Sequence, residues 1–259
     1  MGASEVGVTA RGHIGKKTTY VASVRQSYLQ LLFRLLGLPM LPNYIDGQVK
    51  FKTKLDNRNE LMFIGLAGFD NMKLSTEPDD AGDEYLLSYL PKLKQETFSI
   101  GISWKHISDN HTQTFSAGYN YLNNRSIKYK DNDDNIEGNL RLKSSGLEGK
   151  ATIRFENKSI FGIWTVREGI ENSWRHYDTR LFRLTQSDIP IDYKSTVGFF
   201  MGAAYASADY RSPDNSLTAS VGLRADISSY SGETSKIWKQ LSPRGSISYN
   251  FKNGLSLNA

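Results

Sequence analysis

Cysteine is absent from the 259 residues, so neither a disulfide framework nor a thiolate metal site is open to this chain. Histidine is almost as scarce. His13, His106, His111 and His176 form no HExxH pair and stand beside no GxSxG elbow, so hydrolase and metal centres lack their parts. No long hydrophobic run exists. The longest apolar stretch, Tyr28 to Leu41, is too short to cross a bilayer as a helix, holds Arg34 near its middle and meets Pro39 and Pro42 at its end. The opening segment carries Glu5, Arg11, Lys16, Lys17 and Arg25 and has no apolar signal core. Positive charge never accumulates: the Lys and Arg residues behind the formal net charge of +5 are scattered among acids, unlike the basic block of a nucleic-acid-binding protein.

What is present is strand chemistry. Aromatics make up 12% of the chain, led by 14 Tyr and 12 Phe, with 22 Gly and a mean hydropathy of −0.47. Two kinds of connection alternate. Short polar turns are expected at Gly15-Lys16-Lys17, Asn57-Arg58-Asn59, Asp109-Asn110-His111, Asn157-Lys158-Ser159, Pro213-Asp214-Asn215 and Lys252-Asn253-Gly254. Longer loops are expected over 26–45, 70–94, 127–137, 174–191 and 228–240. The spacing leaves room for strands of about ten residues, short turns at one end and long loops at the other, as in an outer-membrane barrel.

The segments between them alternate with a period of two. In Thr97 to His106, the apolar set Phe98, Ile100, Ile102 and Trp104 opposes Thr97, Ser99, Gly101, Ser103 and Lys105. Thr114–Tyr121, Ser216–Arg224 and Gly245–Phe251 divide in the same way. A soluble antiparallel sheet also alternates. The small polar faces, the strict order of connections and aromatics near strand ends favour a wet lumen on one side and lipid on the other. Tyr20, Phe69, Trp104, Tyr121, Trp164, Tyr193, Tyr210 and Phe251 are the expected girdle positions. Leu61 to Phe69 is apolar on both faces and suits contact with something inside the lumen. The fold class is therefore all-β: an antiparallel transmembrane β-barrel, partial, with about twelve strands of a larger barrel, short periplasmic turns and long extracellular loops.

No motif supplies catalytic chemistry. Gly12 to Thr18 hints at a phosphate loop, but Ala10 stands where the first glycine belongs, and no Ser or Thr follows Lys16 directly. Asp131 to Asn135 resembles the start of a calcium loop, with Ile136 at its glycine position and Leu142 at its terminal glutamate. His106 and His111 flank one turn and read as wet polar residues. Glu77 to Glu84 reads as an exposed acidic loop, and Ser27 to Leu41 as a short packed helix. The expectation is a chain that is not an enzyme, with no catalytic, metal or cofactor-binding residues and with its substrate-binding residues unknown.

The stretches GKKTTYVASVRQSYLQLLFRLLGLPMLP (15–42), NELMFIGLAGFDNMKLST (59–76), YLLSYLPKLKQETFSIGISWKH (85–106), YLNNRSIKYKDND (121–133) and WKQLSPRGSISYNF (238–251) carry a family resemblance. Taken in this order, the chain resembles the barrel of a TonB-dependent receptor of the Bacteroidetes type. The resemblance implies residence in the cell outer membrane and active uptake of a scarce nutrient such as an iron chelate, a cobalamin or a glycan. Its implied partners are outer-membrane lipid, the TonB energy-coupling complex acting through a plug, a small nutrient ligand and a surface lipoprotein, with no nucleic acid. Family barrels of about 22 strands enclose a plug domain. Residues 1–259 are accordingly expected to be a partial receptor barrel, an internal fragment without the plug and the remaining strands. The alternative is a soluble or surface β-rich ligand-binding protein without transport activity.

Overall fold

In the computed structural model, residues 4–75, 81–185, 187–251 and 254–259 are described. Twelve strands form one sheet in sequence order: β1 (Glu5–Ile14), β2 (Thr18–Ser27), β3 (Met40–Lys54), β4 (Asn59–Leu74), β5 (Lys92–Ile107), β6 (His111–Tyr129), β7 (Leu140–Phe161), β8 (Trp164–Leu184), β9 (Pro190–Arg211), β10 (Leu217–Ser228), β11 (Leu241–Asn250) and β12 (Ser256–Asn258). Every pairing is antiparallel and joins consecutive strands, leaving β1 and β12 as edges. Two helices, α1 (Leu29–Leu35) and α2 (Ala81–Tyr89), occupy connections at the long-loop end. No helix among the described residues is long and apolar enough to cross a membrane.

The register carries the two faces across the sheet. Ile102 pairs with Ala117, Ala117 with Ile153, and Phe98 with Tyr121, so one face is an apolar surface of several strands. Ser103, Ser116 and Arg154 form the matching row on the other. This sheet is not built around a globular interior. Among the described residues the buried apolar side chains are Leu41, Leu74 and Leu87, while Phe200 and Val221 on the apolar face are 65% and 62% exposed. A soluble sheet would cover such side chains, whereas lipid solvates them. The soluble alternative therefore loses its physical support.

Aromatics mark the height of that surface. Tyr20, Trp104, Trp164 and Tyr210 lie toward the short-turn end of the apolar face, with Trp164 and Tyr210 in contact at 5.1 Å between centroids. Phe69 and Tyr121 lie toward the other end, joined by Phe98, Trp174 and Phe200, which are not among the expected girdle positions. On β8, Trp164 and Trp174 are separated by about 33 Å of strand, or about 25 Å of height at the usual tilt, the apolar thickness of an outer-membrane barrel. Tyr193 departs from the expected girdle: it pairs with Leu181 on the polar face.

The strands outrun the expected length. β7 and β9 each reach 22 residues, about 70 Å of extended chain, more than twice what the apolar band requires. The loop expected over 174–191 shrinks accordingly, because β8 continues to Leu184 and β9 begins at Pro190. The turn expected at Asn157-Lys158-Ser159 is likewise strand, and the chain reverses at Gly162-Ile163. Gly162 has φ +58, the left-handed conformation that glycine adopts without a Cβ penalty in a two-residue hairpin. The other turns form at or beside their expected places, with Asn59 and His111 already opening strands. Of the last turn, Lys252 and Asn253 lie outside the described residues. Glu77 to Asp80 also lie outside them, and the rest of that acidic stretch enters α2.

The turn between β9 and β10 is held by Asp214. Its carboxylate accepts from Ser212 Oγ at 2.6 Å, Ser216 Oγ at 2.8 Å and Ser216 N at 3.2 Å, and these bonds pull its pKa from 3.8 to about 2. A carboxyl depressed on folding stabilises above its unfolded value and loses that contribution as pH falls through the folded one. The unfolding midpoint of Asp214→Ala, plotted against pH, should therefore lie below that of the parent at neutral pH and converge on it between about pH 4 and 2. A gap that stays constant across this window would exclude the ionised turn as its cause.

Candidate functional site

The polar face is the surface on which chemistry could be presented, and its middle is a network of charges drawn from β7, β8, β9 and β10. Arg154 and Glu156 are alternate residues of β7, so both side chains leave the same face. Tyr205 of β9 reaches over β8 to them. Its hydroxyl donates to Glu156 Oε2 at 2.6 Å and accepts from Arg154 Nη2 at 2.8 Å, while Arg154 Nη2 also donates to Glu156 Oε2 at 2.7 Å. The reach depends on the strand between. Gly169 pairs with Tyr205, and a Cβ there would stand 2.5 Å from Tyr205 Cζ and 2.8 Å from the Phe155 carbonyl oxygen.

Further charges extend the network. Arg224 of β10 pairs with Tyr205 in register, lies 5.9 Å above its ring and grips Asp226 through three bonds of 2.9 to 3.0 Å. Arg167 pairs with Asp209, which also accepts from Ser220 Oγ at 2.6 Å. A cavity of about 340 Å³ opens beside Tyr205, lined by Arg154, Ser207, Arg224, Ser242 and Arg244. Toward the other edge, Arg25 bridges Asp46 at 3.0 Å and Glu5 at 3.6 Å, and Lys52 bridges Glu60 at 3.0 Å. Both signs alternate along this wall. It offers hydrogen bonds and charges to a polar solute.

Tyr205→Phe keeps the ring over Gly169 and removes all three hydroxyl bonds, to Glu156 Oε2 and from Arg154 Nη2 and Nε, so it should destabilise the folded protein by about 1–2 kcal/mol. In a double-mutant cycle with Glu156→Gln the two losses should fall short of additive, because they share one bond. Additive urea-unfolding losses would mean that the network does not act as a unit.

Two apolar stretches interrupt this wall, Val197, Phe199 and Met201 on β9 and a second on β4. Met62, Ile64 and Leu66 pair with Ser103, Gly101 and Ser99 and thus share the polar face, while Leu61 and Phe63 occupy the other. Leu66 is 46% exposed there. The double apolar character of Leu61 to Phe69 is therefore real, and it places an oily stripe on the wall between β3 and β5. Met62 and Ile64 line a cavity of about 460 Å³ with Asn120, Lys150 and Thr152.

His106, His111 and His176 leave the opposite face, whereas His13 on β1 shares the face of Glu5 and Lys52 near the short-turn end. His106 Nδ1 lies 2.9 Å from Asn59 Oδ1, and His111 Nδ1 lies 2.9 Å from Ser159 Oγ, so each has its own neighbour at the short-turn end. No group of three metal-ligating side chains occurs among the described residues. Asp131 and Asn132 adopt positive φ in a tight turn, and Asn132 Oδ1 accepts from Lys128 Nζ at 2.6 Å. Lys128 also donates to the Leu87 carbonyl, tying α2 to the end of β6. α1 packs along β3 without burying any of its own side chains.

Similar folds are found among solved structures. A mutant of the ferric enterobactin receptor PfeA from Pseudomonas aeruginosa aligns with TM-score 0.69 and 11% identity, covering 98% of this chain and 40% of that one. The siderophore receptor PirA from Acinetobacter baumannii gives TM-score 0.69 and 12% identity, with 98% and 39% covered. The RagAB peptide importer gives TM-score 0.65 and 10% identity, with 96% and 34% covered. The chain thus spans about 40% of the length of the first two. No curated protein matches the sequence at a significant level. The family model described as TonB dependent receptor-like, beta-barrel, matches residues 42–259, and the chain belongs to that family of outer-membrane β-barrels.

Proposed function

We propose that this chain forms about half of the wall of a TonB-dependent receptor that takes up a scarce polar nutrient across the outer membrane. The observation that carries the reading is the two-faced sheet: an apolar band on one side and a wall of paired charges on the other. Its edges at β1 and β12 support the partial-barrel reading, since unpaired strand edges in hydrocarbon leave backbone groups unsatisfied. On this reading further strands close the barrel, a plug fills it and TonB supplies the energy.

The nutrient passes without covalent change. An iron chelate, a cobalamin and a glycan all suit a wall of mixed charge and hydroxyls, and the similar folds include a siderophore receptor and a peptide importer. Thr152 Oγ1 and Arg175 Nε are buried without a partner among the described residues, and both residues belong to the polar wall, where an occupant could satisfy them. A surface lipoprotein over the mouth is a further proposed partner.

The test is accumulation of labelled ferric chelate, cobalamin, oligosaccharide and peptide by cells expressing the whole receptor, with and without a working TonB. Uptake of one class that disappears without TonB is the expected result. Uptake indifferent to TonB, or none of any class, would overturn the proposal.

A further inference from the structure

The connection between β2 and β3 differs in chemistry from others at its end of the sheet. Residues 29–38 hold six leucines and one phenylalanine, whereas 127–137 and 228–240 are mostly polar. α1 occupies this stretch. Its Leu31 and Leu35, with Leu36 at the cap, are exposed, Leu35 by 74%. Water stabilises no such surface, and an exposed apolar patch on a folded chain marks contact with lipid or with another chain.

Height places the patch. β2 rises ten residues from its short turn, about 33 Å of strand and about 25 Å of height at the usual tilt, which is the thickness of the apolar band. Its end shares a row with a girdle aromatic, since Gln26 pairs with Ile45 and Ile45 with Phe69. β3 and β4 run on past this row to Met40 and Leu74, so α1 stands beside taller strands where β2 no longer forms the wall. Leu41 lies on the lipid-side face of β3 beyond Ile45, yet it is only 6% exposed. A side chain leaving a sheet is covered only by something lying over that face, and α1 packs along β3.

We propose that α1 is an interfacial helix whose leucine face enters the acyl chains of the outer leaflet, completing the lipid-side wall above β2. The apolar band runs into it without a break, because the exposed Val8 and Val24 pair on the lipid-side face of β1 and β2 directly below. A segment that leaves the sheet at this depth must also satisfy its own backbone, since hydrocarbon offers no partner. α1 does so. Leu32 N donates to the Tyr28 carbonyl at 3.3 Å, Leu36 N to the Leu32 carbonyl at 3.0 Å and Leu38 N to the Phe33 carbonyl at 2.9 Å. Arg34, the charged residue of the helix, has a stem long enough to carry its guanidinium out to water while the leucines stay in lipid.

The inference rests on the membrane placement of the sheet and is indifferent to the transported nutrient. The 259 residues contain no cysteine, so Leu31→Cys, Leu35→Cys and Leu36→Cys can each carry one nitroxide label in the whole receptor, any cysteine outside them being replaced by serine. In phosphatidylcholine vesicles, collisions of the label with oxygen, which concentrates in hydrocarbon, are compared with collisions with a water-soluble nickel chelate. Ile100→Cys marks lipid and Lys16→Cys marks water. In the variants that keep the heat-modifiable gel mobility of a folded barrel, the oxygen-to-nickel ratio on α1 should exceed that at Lys16 at least about fivefold. A ratio equal to that at Lys16 would overturn the proposal by placing the helix in outer water or in the lumen. Exclusion of both reagents would overturn it as well, in favour of a protein surface covering the leucines. If Ile100 itself behaved like Lys16, the membrane placement would fall and the inference with it.

Discussion

Arginine at Ile100 should lower the stability of the folded barrel by about 2–4 kcal/mol, while arginine at Ser103 should change it by less than about 1 kcal/mol. The two residues belong to one strand and differ only in the face they serve. Ile100 is 50% exposed in the middle of the apolar band, so a guanidinium there must enter hydrocarbon or drag water with it. Ser103 faces the polar wall opposite Ser116, where a charge remains in water. Urea unfolding of the whole receptor in lipid vesicles measures both. Equal losses at the two sites would mean that both faces meet the same solvent, and the assignment of lipid to the apolar side would fall.

Valine in place of Gly169 should cost about 3 kcal/mol, because the added atoms enter space held by the Tyr205 ring and by backbone. The Phe155 carbonyl, 2.8 Å from the new Cβ, cannot swing aside as a side chain can. Removing the ring with Tyr205→Ala should therefore rescue Gly169→Val only in part. Full rescue would show that the ring alone is the obstacle, and a loss below about 0.5 kcal/mol would show that β8 and β7 have room to separate. Either measurement reports how tightly the wall is built at its most charged place.

The faces of the sheet are legible in the amino-acid order wherever solvent differs between them. In Thr97 to His106 the contrast is complete, and the structure reproduces it residue by residue through the register of β5 with β6. Strand ends at the outer side were illegible for the same reason. Above the band both faces of β8 are wet, so Asp178, Arg180 and Arg183 look like a loop while the ladder to β9 continues past them. Asn157 to Ser159 misled in a similar way, since three polar residues in a row resemble a turn even when all are paired. The charge network was beyond reach: Glu156 and Tyr205 are 49 residues apart, and only the register of two intervening ladders brings them together. Leu61 to Phe69 was the exception, an anomaly visible in the sequence whose inner half now sits beside Asn120 and Lys150.

The strictly sequential order of the sheet has a mechanical consequence. Each strand is held to the wall by the strand before it and the strand after it, with no crossover to lock distant segments together. A pulling force applied along the wall would meet one antiparallel ladder after another. Such a wall yields by peeling, one strand or hairpin at a time. The greatest resistance should come at β7, β8 and β9, whose long paired ladders would have to be torn in turn.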